Sequence, residues 1–187
     1  MLEPMIEIGT GFKLPESIDL STLNKLPIQV HKYGDPQPSK DTFRWMSYQN
    51  EGNISGSIDF ARDCGKFFPE VANYTVEYLS NLLDMHLSPN FVNFMKTNGN
   101  ITPHTDEVRK SCINIGIENT ESAITRFYIN DTHKDYCVKP GSVYLVDVSK
   151  THAVHSTNNI TRLLITYGFV QTFDQIYNKL KHGIHKK

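Results

Sequence analysis

Ser142-Val-Tyr-Leu-Val-Asp-Val148, Thr151-His-Ala-Val-His-Ser156 and Arg162-Leu-Leu-Ile-Thr-Tyr-Gly-Phe-Val170 follow one another with only short breaks. Each run is short, rich in β-branched and aromatic residues, and bounded by turn formers such as Lys139-Pro-Gly141 and Asn158-Asn159. That texture predicts consecutive strands. It extends back to residue 90, with further strands predicted over 90–97, 111–118, 123–130 and 135–138. Breaks are expected at Asn98-Gly99-Asn100, Glu118 to Ser122 and Asn130-Asp131. Evenly spaced short strands of this kind predict an antiparallel sandwich or barrel.

Upstream the pattern is weaker. Residues 1 to about 26 read as an extended lead-in punctuated by Pro4, Gly9, Gly11 and Pro15. Strands are predicted over 27–33 and 42–48, with a turn over 34–40, and residues 50–66 support no assignment. A helix is predicted from Pro69 to about Leu83, because Pro69 suits a first helical turn and Val71, Tyr74, Tyr78, Leu79 and Leu82 share one side. A second helix is predicted from Thr172 to about His182, with Phe173, Ile176, Tyr177 and Leu180 on one side.

The 187 residues suit a single domain, with N-terminal strands and a supporting helix over about 1–89, a β core over about 90–170 and a helical tail over about 171–187. Nineteen Lys and Arg against twenty Asp and Glu give no basic surplus for nucleic acid or an anionic membrane. No apolar stretch approaches the length of a membrane span, and no signal peptide is read at Met1-Leu2-Glu3-Pro4-Met5. Three scattered cysteines, Cys64, Cys112 and Cys137, argue against a disulfide scaffold or thiolate zinc site. The expectation is a cytoplasmic protein.

The strand region also carries the chemistry. Pro103-His104-Thr105-Asp106 ends one run, and His104 and Asp106, two apart, share a face where the backbone is extended. Pro103 biases Thr102 toward that conformation. A third ligand comes from the run after Asp147, where His152 and His155 compete. They lie on opposite faces of a strand, and the local pattern favours His152. Two imidazoles and one carboxylate suit iron(II). Ten positions after His152, Arg162 opens an apolar strand and needs an anion. A bidentate ligand carboxylate and an internal salt bridge to Asp147 or Glu118 are both open partners.

Those residues carry a family likeness. Asn98-Gly-Asn-Ile-Thr-Pro-His-Thr-Asp106, Ile113-Asn-Ile-Gly-Ile117, Lys139 to Asp147, His152-Ala-Val154 and Arg162-Leu-Leu-Ile165 resemble the core of the Fe(II)/2-oxoglutarate-dependent dioxygenases. Within that superfamily they look most like the aspartyl/asparaginyl β-hydroxylase-like branch. The resemblance covers a little under half the chain. It implies a mainly β fold with flanking helices and a double-stranded β-helix (jelly-roll, cupin-like) core. It implies His104, Asp106 and His152 as iron ligands and catalytic residues, with Arg162 clamping the distal carboxylate of 2-oxoglutarate, helped by a hydroxyl from Thr97, Tyr128 or Thr166. The implied enzyme is an oxidoreductase: a hydroxylase that uses molecular oxygen on an amino acid, a peptide side chain or a related small molecule, releasing succinate and carbon dioxide. Two positions depart from that branch. Asn114 stands where a histidine helps hold the co-substrate, so it is the candidate second contact, and Cys112 stands where an arginine is expected. Lys110 or Ser111 are the alternatives at that end. Trp45, Arg44, Arg109 and Arg126 are candidate substrate contacts. The competing reading is a non-redox cupin-like metal- or ligand-binding module.

Overall fold

In the computed structural model, residues 2–30, 44–49, 54–62, 64–158 and 160–184 are described. In chain order, β1 (Met5–Gly9), α1 (Ser21–Asn24), β2 (Ile28–Val30), β3 (Trp45–Gln49), β4 (Ile54–Ala61), α2 (Cys64–Phe67) and α3 (Pro69–Leu83) lead to a β region. That region comprises β5 (Val92–His104), β6 (Ser111–Glu118), β7 (Ala123–Ile129), β8 (Thr132–Cys137), β9 (Val143–Val146), β10 (His152–Ser156) and β11 (Arg162–Phe169). The helix α4 (Phe173–Ile184) follows.

The thirteen-residue strand β5 organises the core. Its first half pairs antiparallel with β11, with Thr97 opposite Arg162 and Val92 opposite Tyr167. Its second half pairs with β10, with Ile101 opposite Val154 and His104 opposite His152. One sheet therefore reads β9-β6-β11-β5 and the other β5-β10-β7-β8. Phe127 of the second sheet packs with Cys112, Tyr144, Val146 and Leu164 of the first, so the two sheets face each other. This is the expected double-stranded β-helix. Beyond β5 the first sheet is extended by β4, β3 and β2, and beyond β9 by β1.

The outer face of the first sheet is also covered. Val71, Leu79 and Leu83 of α3 and Phe173, Ile176 and Leu180 of α4 pack on Phe94, Ile113, Leu145, Leu163 and Ile165. The central strand β11 is thus buried on both faces, which is why it reads as an unbroken apolar run. Among the described residues, no helix is long and apolar enough to cross a membrane.

The lead-in, read as extended, contains the strand β1 and the short helix α1. Met5 faces the barrel interior, Ile6 and Ile8 pack toward the helices, and Glu7 between them is exposed. The unassigned segment contains β4 and α2. The turn placed over 34–40 lies outside the described residues.

The expected break at Asn98-Gly99-Asn100 is absent too. β5 runs through it because Gly99 pairs with Gly56 of β4, and both adopt φ near +108° and +107°. A Cβ at Gly56 would lie 2.1 Å from the Asn98 carbonyl oxygen, and one at Gly99 would lie 2.0 Å from that of Ser55. Glycine here permits close approach of two strands. Replacing either glycine with alanine is expected to cost at least about 2 kcal/mol of stability, from positive φ and the backbone clash together. Urea denaturation checks this, and an unchanged midpoint would refute the crossing.

Candidate metal centre

His104 ends β5 and His152 opens β10, and their pairing sets the two rings 4.3 Å apart between centroids. The same local device orients both. His104 Nδ1 lies 2.9 Å from the Thr102 carbonyl oxygen, and His152 Nδ1 lies 2.9 Å from that of Lys150. A carbonyl only accepts, so each neutral ring carries its proton on Nδ1 and leaves Nε2 with a lone pair for a metal. Burial lowers the His152 pKa, favouring that neutral form. Phe127 stacks on the His152 ring at 5.6 Å.

Asp106 sits just past β5, where its N–H donates to the Val148 carbonyl at 2.9 Å. Its two oxygens are differentiated. Oδ2 forms an ion pair with Arg109 Nη2 at 2.6 Å, and Oδ1 lies 3.8 Å from His104 Nε2. Ligand atoms of His104, Asp106 and His152 all fall within 4.8 Å of one another. Two imidazole nitrogens and one carboxylate oxygen at that spacing fit a divalent transition metal, with coordination positions left for other ligands.

Arg109 reaches Asp106 across Gly168 of β11. A Cβ at Gly168 would meet the Arg109 Cδ at 2.7 Å, so the missing side chain is the space the arginine occupies. Arg109, a candidate substrate contact in the sequence, therefore holds Asp106; the signal for this contact is an arginine three places after the aspartate.

These groups line one cavity of about 280 Å3. Cys112, Asn114, Thr166 and Arg162 share its wall, and Asn114 lies in register with Thr166 across β6 and β11. The Cys112 Sγ points at Asn114 Oδ1, 3.7 Å away, and burial pushes that thiol up to about 11.

Arg162 is only 2% exposed, and its Nε and Nη1 have no hydrogen-bond partner among the described residues. Neither Asp147 nor Glu118 forms the salt bridge considered as its internal partner; Asp147 accepts from Ser149 instead. Burial brings the guanidinium down to about 10. Two neighbouring hydroxyls, Thr97 and Thr166, are also buried without partners. Unpartnered buried donors at the back of a cavity form a receptor for an anion.

Other expectations are corrected. Tyr128 is 38% exposed and does not line the cavity. Strand alternation turns Ser111 away to the Gln171 carbonyl, and Lys110 reaches back to the Glu107 carbonyl. Arg126 pairs with Asp135 on the neighbouring strand, Arg44 with Gln29, and Trp45 is buried with its indole N–H on the Leu23 carbonyl. His155 lies outside the cavity lining, on the other face of β10 from His152.

No family model and no curated protein matches this chain in sequence. Among solved structures, the backbone is similar to the non-heme alpha ketoglutarate dependent epimerase SnoN from nogalamycin biosynthesis. That match has a TM-score of 0.48 and 10% identity over 64% of this chain, and the chain spans only 64% of the epimerase. A 2OG-Fe(II) oxygenase family oxidoreductase from Burkholderia pseudomallei matches at TM-score 0.48 and 8% identity, over 69% of this chain and 73% of that one. The CENP-C cupin domain of Drosophila melanogaster matches at TM-score 0.40 and 8% identity, over 72% and 84%. Oxygenases and a cupin thus both stand among the chains of related backbone course.

Because no residue among those described forms an ion pair with Arg162, its replacement by methionine is expected to stabilise the metal-free protein, on the order of 2 kcal/mol. Urea unfolding reads this directly. A clear loss of stability would reveal a structural partner for the guanidinium.

Proposed function

We propose that the protein is an Fe(II)- and 2-oxoglutarate-dependent oxygenase that hydroxylates an amino acid, peptide side chain or related small molecule. One observation supports this above the rest: a two-histidine, one-carboxylate set and a buried arginine without a counter-ion open into the same cavity. A metal-binding module without a co-substrate has no use for such an arginine, which costs stability to bury.

His104, Asp106 and His152 would hold iron(II), and their fixed Nδ1–H bonds present Nε2 without reorganisation. Arg162 would bind the distal carboxylate of 2-oxoglutarate, with the Thr97 and Thr166 hydroxyls beside it. The Asn114 amide faces the same space and offers a neutral hydrogen bond to the co-substrate. When bound, iron and 2-oxoglutarate supply an oxidation in which one atom of dioxygen becomes the substrate hydroxyl and the other enters succinate, with carbon dioxide released. Substrate C–H and co-substrate each give up two electrons, which balances the four taken by dioxygen. The chain's own share is orientation and exclusion of bulk water.

Anaerobic titration with iron(II) and 2-oxoglutarate tests the reading. A visible charge-transfer absorption is expected only when both are present, and under air succinate should form. Absence of both signals would leave the non-redox cupin-like module as the better description. His104→Ala and Asp106→Ala are expected to abolish iron uptake. Arg162→Met should raise the 2-oxoglutarate requirement about a hundredfold, the scale of one charge-assisted bidentate contact, while iron affinity stays within about twofold. Equal loss of both affinities would argue against the clamp. His155→Ala should leave iron binding intact; if it abolishes binding and His152→Ala does not, the third ligand is misassigned.

A further inference from the structure

The cavity has two unlike sides. Its polar side holds the His/Asp/His set, Arg109, Asn114, Thr166 and Arg162. Opposite stand Ile54, Ile58 and Phe60 of β4, Met95 and Ile101 of β5, and Val154 of β10, which form one apolar cluster. Strand register places the residues. Ile58, Thr97 and Arg162 lie in one row across β4, β5 and β11, with Ile58 and Arg162 at its two ends, and Ile54, Ile101 and Val154 lie in a row beyond the glycine pair across β4, β5 and β10.

β4 is amphipathic, with its apolar side turned to the cavity. Asp59, on its other face, accepts a hydrogen bond from Ser47 at 2.6 Å. Ile54, Phe60 and Met95 remain partly exposed around the better-buried Ile58, Ile101 and Val154. A hydrocarbon wall left open beside a polar centre is what an apolar ligand group covers.

Charge points the same way. The cations among the described lining residues are Arg109 and Arg162. Arg109 is paired with Asp106, and Arg162 belongs to the co-substrate in the reading above. A substrate carboxylate would be desolvated with no free counter-charge, and a substrate ammonium would meet only the metal-ligating carboxylate.

We infer that the group oxidised is an uncharged aliphatic or aromatic one, seated on Ile54, Ile58, Phe60, Ile101 and Val154. This rests on the oxygenase reading and narrows its substrate class. An acidic side chain finds no unpaired cation among the described lining residues, although the branch that the sequence resembles is named for an acidic and an amide one.

Ligand-observed saturation-transfer NMR on the full chain, loaded with zinc(II) and 2-oxoglutarate, tests it with three matched amides: 4-methylpentanamide, succinamate and 5-aminopentanamide. The apolar amide is expected to bind at least about tenfold more tightly than either charged one, as burial of an isobutyl group predicts. Ile54→Asn and Phe60→Ser should each weaken it by about tenfold, and Ile54→Leu should not, while zinc and 2-oxoglutarate affinities hold in all three. Equal binding of a charged amide, no binding of the apolar one, or indifference to Ile54→Asn and Phe60→Ser would overturn the inference. A wild-type chain that takes up neither zinc nor 2-oxoglutarate would overturn the oxygenase reading itself.

Discussion

The site depends on one strand serving two sheets. The first half of β5 is stitched to β11 and its second half to β10, so the sheets share a common edge and diverge from it. His104 stands at one end of that strand, and Thr97, opposite Arg162, stands seven residues earlier. Their separation is set by backbone hydrogen bonding rather than by loops. β4 runs along the other edge of β5 from Phe94 to Ile101, and the glycine pair lets the two backbones stay in contact through the bend. The metal set, the anion receptor and the apolar wall are therefore all placed by the pairing of β5 with its neighbours.

Energetically the centre works against the fold. Among the described residues, the Arg162 Nε and Nη1 and the Thr97 and Thr166 hydroxyls are buried without partners, and they cost free energy that the helix-covered face of the first sheet must offset. Among the described residues, large side chains with under 2% exposure on that face, Phe94, Ile113, Leu145 and Ile165 among them, supply much of that. Local rules of polar satisfaction hold through most of the core and fail at the cavity, which is where a binding function is expected to reside.

Much of this was legible from residues because period and parity are strong signals. The helix from Pro69 to Leu83 carries a proline at its first turn and an apolar side, and its bounds are those expected. From Ser111 onward nearly every predicted strand is present, with small shifts at the ends. Two-residue parity placed His104 with Asp106 and turned His152, not His155, inward. What failed has physical causes. β1 is only five residues long, so its short Ile6-Glu7-Ile8 alternation carries little signal between Pro4 and Gly9. Asn98-Gly99-Asn100 has turn composition, but its glycine answers to a neighbour in space, Gly56, that local reading cannot see. The contact of Arg109 with Asp106 is hidden for the same reason, because the gap at Gly168 that admits the arginine lies fifty-nine residues away in the chain.

That gap has a consequence for how the two cations are mounted. Arg162 is anchored on a central strand hydrogen-bonded on both sides, to β5 and to β6. Arg109 stands on the connection between β5 and β6 and only leans across β11. Asp106 stands on the same connection, so its ion pair with Arg109 is local to that segment, whereas Arg162 is held by two neighbouring strands. One positive charge is a fixture of the sheet, and the other is mounted on a connection laid over it.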